Sequence, residues 1–142
     1  MNKSKQRYSL MNHTSDIGVE VTGENFSKLM ENGAFALFDL ITDLSTVDPT
    51  YQETINIPEE NAEDQFRTWL EKLLLLHNID SYLLTKFEVN INPDGKIVGN
   101  VWGEQYKAEK HTLFSEIKAI TYHQFQVIQT EQGWSASFIL DV

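Results

Sequence analysis

A short polar segment near the amino terminus contains the side chains best suited to chemistry. It lies between two apolar segments, residues 8–11 and 17–21, that we predict to be β-strands. Its members are His13, Thr14, Ser15 and Asp16. A turn between strands exposes polar side chains; an imidazole there can accept a proton or bind a transition metal, and a carboxylate can bind a hard cation. This turn is therefore our first candidate site.

A second carboxylate, Asp141, falls at the far end of the sequence. The last predicted strand, residues 134–142, places alternate residues on one apolar face: Trp134, Ala136, Phe138 and Leu140. Asp141 then lies on the opposite face at the strand end. Because strand ends of one small sheet can meet, Asp16 and Asp141 could share a site. From the residues alone, two ordinary alternatives stay open. Asp16 could form an Asx-turn, and the side chain of Asp141 could simply be solvated near the end of the sequence.

Lys118 is the third candidate, because it is a cation inside an otherwise apolar segment, residues 117–120. One interpretation is that it protects an edge strand against aggregation. The other is that it points toward a phosphate or a carboxylate, with Thr121 and Tyr122 in support. The residues alone leave both interpretations open.

The remaining chemistry-bearing residues form no recognisable site. The four histidines have no paired spacing and the chain has no cysteine, so there is no zinc signature. They are His13, His77, His111 and His123. A glycine-rich phosphate loop and a nucleophile elbow are also missing from the sequence, and we predict that the protein is not an enzyme.

Two amphipathic helices provide the apolar surfaces against which strands can pack. The first is predicted to start near Asn25 or Ser27 and to end near residues 42–43. Its apolar stripe consists of Phe26, Leu29, Met30, Ala34, Leu37, Phe38 and Ile41. The second starts at Asn61, and its stripe consists of Phe66, Trp69, Leu70, Leu73, Leu74 and His77.

About seven strands complete the predicted fold. Besides the two at the amino terminus, they cover residues 51–57, 87–91, 96–106, 117–127 and 134–142, with turns at 92–95 and 130–133. Gly99 and Gly103 predict a bulge or the close approach of another backbone. The pattern indicates one α+β domain, residues 1–142, in which a mostly antiparallel or mixed sheet packs against two α-helices as a two-layer sandwich.

The composition narrows the range of partners. The 142-residue chain carries 21 acidic and 11 basic side chains, a formal net charge of -10. This charge disfavours direct nucleic-acid binding and suits a basic protein partner, although it also simply favours solubility. The lack of cysteine and of any stretch of about 20 apolar residues leads us to expect a cytoplasmic protein outside the membrane.

Four segments of the chain resemble the archease family. They are His13-Thr14-Ser15-Asp16-Ile17-Gly18, Trp69-Leu70-Glu71-Lys72-Leu73-Leu74, Ile117-Lys118-Ala119-Ile120-Thr121-Tyr122-His123 and Ile139-Leu140-Asp141-Val142. The resemblance covers nearly the full chain. One departure is Ser15, where the family's usual residue is alanine, and it adds a hydroxyl beside Asp16.

The resemblance implies a function and a set of site residues. Archeases look like activators of the GTP-dependent tRNA-splicing RNA ligase of the RtcB type, promoting its guanylylation and its multiple turnover. The implied ligands of a divalent metal ion are Asp16, Asp141 and Val142. Their oxygens suit Ca²⁺, with Mg²⁺ or Mn²⁺ as alternatives. The residues that would face the partner are His13, Thr14, Ser15, Lys118, Thr121 and His123.

Two other functions stay open at the level of the sequence. One is a small metal-dependent phosphohydrolase or nucleotidase in which Asp16, Asp141 and His13 hold a catalytic ion. The other is a general chaperone-like interaction module whose ion only secures the terminus. The two differ in whether the isolated protein turns over nucleotides. The oligomeric state cannot be read from the sequence.

Overall fold

The computed structural model describes residues 7–11 and 15–142. Within these ranges the chain forms eight β-strands and two longer α-helices. In chain order the elements are β1 (Tyr8–Met11), β2 (Ile17–Gly23), α1 (Phe26–Ile41), β3 (Tyr51–Ile57), α2 (Ala62–Asp80), β4 (Tyr82–Ile91), β5 (Ile97–Gln105), β6 (Ala119–Ile120), β7 (Gln126–Thr130) and β8 (Gly133–Asp141). A short 3₁₀ turn, Leu44–Thr46, follows α1.

The strands form two antiparallel sheets. The first has the order β1-β2-β8-β6. Strand β7 also pairs with β8, on the same side as β6: β6 pairs with the last residues of β8 and β7 with its first residues. The second has the order β3-β5-β4. Both helices contact strands of both sheets, so the helix pair packs between them. The predicted α+β sandwich is confirmed, with the strands divided between two sheets.

Both helices begin where the sequence predicts. The side chain of Asn25 accepts a hydrogen bond from the Lys28 amide at 2.8 Å, and that of Asn61 accepts one from the Asp64 amide at 2.8 Å. Each bond satisfies one amide that the first helical turn leaves free. In α2 the first turn also holds Glu63, an acid at the positive end of the helix dipole.

Trp69 of α2 lies where the elements meet. Its indole nitrogen donates to the carbonyl of Met30 in α1 at 2.8 Å, and its ring contacts Gly99 of β5. One turn earlier, Phe66 packs against Phe138 of β8 with the ring centroids 5.8 Å apart. A single helix thereby joins the first sheet, α1 and the second sheet.

The two glycines of β5 each allow a close approach. A Cβ at Gly103 would lie 1.8 Å from the carbonyl oxygen of Leu83, beside the register shift between Leu84 and Lys86. A Cβ at Gly99 would lie 2.3 Å from the Trp69 ring. The predicted bulge and close backbone approach are both found at Gly103, whereas the close neighbour of Gly99 is a side chain.

One predicted strand is divided in two. The segment expected to run through residues 117–127 forms the short strand β6 and, after a break, β7. At the break Gln124 adopts a φ of 54°, which no regular strand contains. The polar residues 106–118 run without a long regular element, and Ile117 near their end is buried.

Neither helix of the described chain combines the length and the apolar character that a membrane span requires.

We expect Gly99→Ala to destabilise the fold by about 1–3 kcal/mol, because the added methyl group overpacks against the Trp69 ring. The free energy of unfolding in urea measures this change. Asn90→Ala, at an exposed position of β4, is the control and should change that energy by less than about 0.5 kcal/mol. Equal effects of the two substitutions would contradict the packing argument.

Candidate functional site

Asp16 and Asp141 occupy neighbouring positions on the first sheet. Strand β2 pairs with β8 in an antiparallel register that sets Ile17 opposite Leu140. The ladder ends at this pair, and Asp16 and Asp141 are the residues that adjoin it, Asp16 in the bend before β2 and Asp141 at the end of β8. Val19 and Phe138, paired in the same ladder, are buried in the core. By alternation along β8, Asp141 faces away from the helices, on what we call the outer face.

The third strand at this position brings in Lys118. On the other side of β8, Ala119 of β6 pairs with Asp141, and the Lys118 amide donates to the Asp141 carbonyl at 2.7 Å. The Lys118 side chain is exposed, as is the final residue, Val142. The backbone of Lys118 is therefore held beside Asp141 at this end of the sheet, whereas its side chain borders a cavity together with Leu74 and Asn78 of α2.

Thr121 and His123 continue the same edge. The Thr121 amide donates to the Ile139 carbonyl at 2.9 Å, which keeps Thr121 paired with β8. Its hydroxyl oxygen is buried and has no hydrogen-bond partner. Tyr122 is exposed beneath the Arg67 guanidinium, whose carbon lies 4.6 Å from the ring centre, and His123 is exposed.

The amino-terminal segment is described only in part. Ser15 is exposed in a bend that leads into β2. His13 and Thr14, two of the residues predicted to face a partner, lie outside the described residues.

The donor chemistry at this position fits a hard divalent cation. Like charges directly opposite each other in a sheet destabilise it, and a bound cation removes that cost. Carboxylate oxygens are the donors that Ca²⁺ and Mg²⁺ prefer. In the described part of the chain, no three side chains of His, Asp or Glu converge as a ligand set. The two aspartates thus supply part of a coordination sphere, and other oxygens must complete it.

A second polar cluster, which the sequence interpretation did not identify, is centred on Glu104 of β5. This carboxylate is only 6% exposed. Its Oε2 accepts hydrogen bonds from the Asp48 amide at 2.8 Å and from the Lys110 ammonium at 2.6 Å, and lies 3.0 Å from Nε2 of His111. In the sequence, this cluster is indicated by the polar residues that follow Glu104, but such a segment is equally typical of a solvated loop.

The hydrogen bonds fix the tautomer of His111. The Lys107 amide donates to Nδ1 at 3.0 Å, so Nδ1 carries no proton and Nε2 is the donor to Glu104. Burial by itself raises the pKa of Glu104. The hydrogen bonds from Asp48, Lys110 and His111 and the charge of Lys110 outweigh this effect and lower the pKa to about 2.

This cluster anchors the long connection that leads to Lys118. Further along it, the Thr42 hydroxyl donates to the Thr112 carbonyl at 2.7 Å, and the Asn78 side chain donates to the Ile117 carbonyl at 3.1 Å. A segment without regular structure is therefore fixed at its start, middle and end. The last of these hydrogen bonds, from Asn78 to Ile117, positions Lys118 beside Asp141.

Fold and site together define a class of protein: a small α+β domain in which the paired β2 and β8 display two carboxylates. The model of the Archease protein family matches residues 8–142. The chain belongs to the archease family.

Similar proteins extend over almost the whole chain. Protein archease of Sulfurisphaera tokodaii is 31% identical over 96% of this chain and 99% of its own length. Protein archease of Pyrococcus furiosus is 34% identical over 92% of this chain and 94% of its own length. The solution structure of Methanobacterium thermoautotrophicum protein 1598 superposes with a TM-score of 0.82 at 29% identity and covers 95% of this chain and 98% of that one.

We expect Asp141→Asn to stabilise the chelator-treated protein by about 0.5 kcal/mol, because it removes the repulsion from Asp16. Urea unfolding at low ionic strength measures the gain, which salt should reduce by screening. Glu88→Gln, at an exposed position of β4 in the second sheet, is the matched control and should have no such effect. A loss of stability in Asp141→Asn would contradict this account.

We expect the contribution of Glu104 to depend on pH. Its pKa falls from 4.5 to about 2 on folding, so the stabilisation is fully present above about pH 4.5 and is lost as the pH falls toward about 2. Near neutral pH, Glu104→Gln should cost about 1–2 kcal/mol. Urea unfolding of both proteins across this range should show the difference shrinking with acid, and a constant difference would contradict the prediction.

Proposed function

We propose that this protein is an accessory protein that activates a GTP-dependent tRNA-splicing RNA ligase of the RtcB type. It promotes guanylylation of the ligase and its multiple turnover, and it has no catalytic activity of its own. The surface that acts on the ligase is the acidic tip, which we define as Asp16, Asp141 and Val142 together with the adjacent Lys118.

Membership of the archease family and the positions of Asp16 and Asp141, which adjoin the last pair of the β2–β8 ladder, support this proposal. These positions carry it, because two carboxylates that adjoin one end of a sheet can act together on a partner. Two like charges held together cost stability. A site that keeps two like charges close together, despite their repulsion, is suited to binding a charged ligand.

The proposal includes a divalent metal ion, Ca²⁺ with Mg²⁺ or Mn²⁺ as alternatives, held by Asp16, Asp141 and Val142. When bound, the ion would supply a positive charge with open positions for a partner's oxygens. The two aspartates would hold and orient it, because β2 and β8 fix their backbones. Ser15 lies in the bend that precedes β2, next to Asp16 in the sequence.

The charges of the chain favour a protein partner over RNA. A net charge of -10 repels a phosphate backbone, whereas the cleft of an RNA-binding ligase is expected to be basic. Lys118 is the exception within the acidic tip, and its exposed ammonium can bind a carboxylate or phosphate of the ligase. His13, Thr121 and His123 would border this contact. The absence of cysteine suits a cytoplasmic location.

Single-turnover guanylylation of the cognate ligase with GTP and a divalent metal tests the proposal. We expect this protein to accelerate the reaction, and Asp16→Ala and Asp141→Ala, each shown to be folded, to lose most of the acceleration. Glu88→Ala, an exposed acid of the second sheet, is the control and should activate like the unchanged protein. Lys118→Ala should weaken activation without removing it.

Three outcomes would contradict the proposal. Failure to accelerate guanylylation with Ca²⁺, Mg²⁺ or Mn²⁺ would remove the activator function. Full acceleration by both aspartate variants would remove the acidic tip from the mechanism. Hydrolysis of nucleotides by the protein alone, lost in the same variants, would favour the metal-dependent phosphohydrolase, for which the described residues offer no additional ligand cluster.

A further inference from the structure

We propose that a cleft at the other end of the β2–β8 ladder binds the phosphate group of a small phosphate ester, with the guanidinium of Arg7 as its main contact. The cleft has a volume of about 650 Å³, within the usual range for small-molecule sites. It lies where Trp134 of β8 pairs with Gly23 of β2, whereas the acidic tip adjoins the opposite end of this ladder. The cleft is therefore separate from the site of the proposed function and goes beyond it.

The guanidinium of Arg7 is held in place by two side chains of α1. Its Nε donates to the side-chain oxygen of Asn32 at 2.9 Å, and its central carbon lies 3.9 Å from the centre of the Phe35 ring. The side-chain amide of Asn32 donates in turn to the Thr22 carbonyl of β2 at 2.8 Å, which fixes Asn32 against the sheet. Because only Nε bonds to another described residue, the two terminal nitrogens are left for a ligand. A guanidinium fixed in this way is preorganised for the paired oxygens of a phosphate.

Arg7 also lacks a carboxylate partner. Arg67, the other arginine of the chain, has one, because its guanidinium lies 2.9 Å from Asp64. Among the residues that the structure describes, none forms an ion pair with Arg7. Burial lowers the pKa of Arg7, and the charges of Glu31 and Asp39 offset this effect only in part. An anion bound at the guanidinium would stabilise this half-buried charge.

The other groups around the cleft favour an ester over a bare anion. Lys28 lies one turn before Asn32 on the same side of α1, so it adds a second cation close to Arg7. Glu24 also lines the cleft, and Glu31 holds the Lys28 ammonium at 3.2 Å, so two acids reduce the attraction for an anion alone. An organic group attached to the phosphate can pack on the ring of Trp134. A hydroxyl of that group can donate to Glu24.

Adenosine 5′-monophosphate is the probe, because it combines a phosphate monoester, hydroxyls and an aromatic base. Calorimetric titration at low ionic strength should show that the unchanged protein binds it. Adenosine lacks only the phosphate and should bind at least about tenfold more weakly, because charge-assisted hydrogen bonds are lost. Equal affinities for the two compounds would overturn the proposal, as would a failure of the monophosphate to bind.

Arg7→Gln and Arg67→Gln separate the contribution of this guanidinium from that of overall charge. Both remove one of the two arginines and change the net charge equally. Arg7→Gln should weaken binding of the monophosphate at least about tenfold, and Arg67→Gln should bind like the unchanged protein. Thermal unfolding of both variants shows that they are folded. Equal affinity of Arg7→Gln and the unchanged protein, or an equal loss in both variants, would overturn the proposal.

The three tryptophans allow the site to be located without any substitution. They are Trp69, which is buried against α1, Trp102 on the second sheet, and Trp134 in the cleft. On addition of the monophosphate, the NMR signal of the Trp134 indole N–H should shift, and the signals of the other two should stay in place. This readout tests the site even if Arg7→Gln is unstable. Binding without a shift of the Trp134 signal would overturn the proposal.

Discussion

The antiparallel pairing of β2 with β8 is the contact on which the rest of this structure depends. It brings Ile17 opposite Leu140 and so joins the two ends of the sequence in the middle of the first sheet. The inward residues of this pair, including Val19 and Phe138, cover the helices. The two aspartates adjoin the end of the same ladder. One ladder of hydrogen bonds therefore serves both the core and the candidate site, and a slip of its register by one residue would exchange the two faces.

The helices transmit this arrangement to the second sheet. The Trp69 indole donates a hydrogen bond to the Met30 carbonyl, and its ring packs against Gly99. On the opposite side, Phe66 packs against Phe138. The anchored connection after β5 then returns from the second sheet to the first and ends at Lys118. The acidic tip is thus assembled from segments that come from both halves of the domain.

Local features of the fold were predictable from the sequence. The Asn61 cap and the hairpin turn closed by Gly95, whose φ is 88°, depend on residues within one short segment. The division into two sheets was not predictable, because strand period does not say which strands pair. The environment of Glu104 was hidden for a similar reason: Asp48, which donates to it, is far away in the sequence. Asp16 and Asp141 were predicted as site residues because each stands at a strand end, and their role stays a prediction.

The pairing of β2 with β8 also governs how this domain folds. Contacts between residues so distant in sequence require closure of a long loop, which slows folding relative to helices and hairpins. The hairpins β4–β5 and β7–β8 can form early, but neither contains both aspartates. A site that needs both aspartates cannot exist in any intermediate that lacks this pairing, so under the proposed function cation binding would mark completion of the native topology. An ion that binds there stabilises only the finished fold and slows its unfolding.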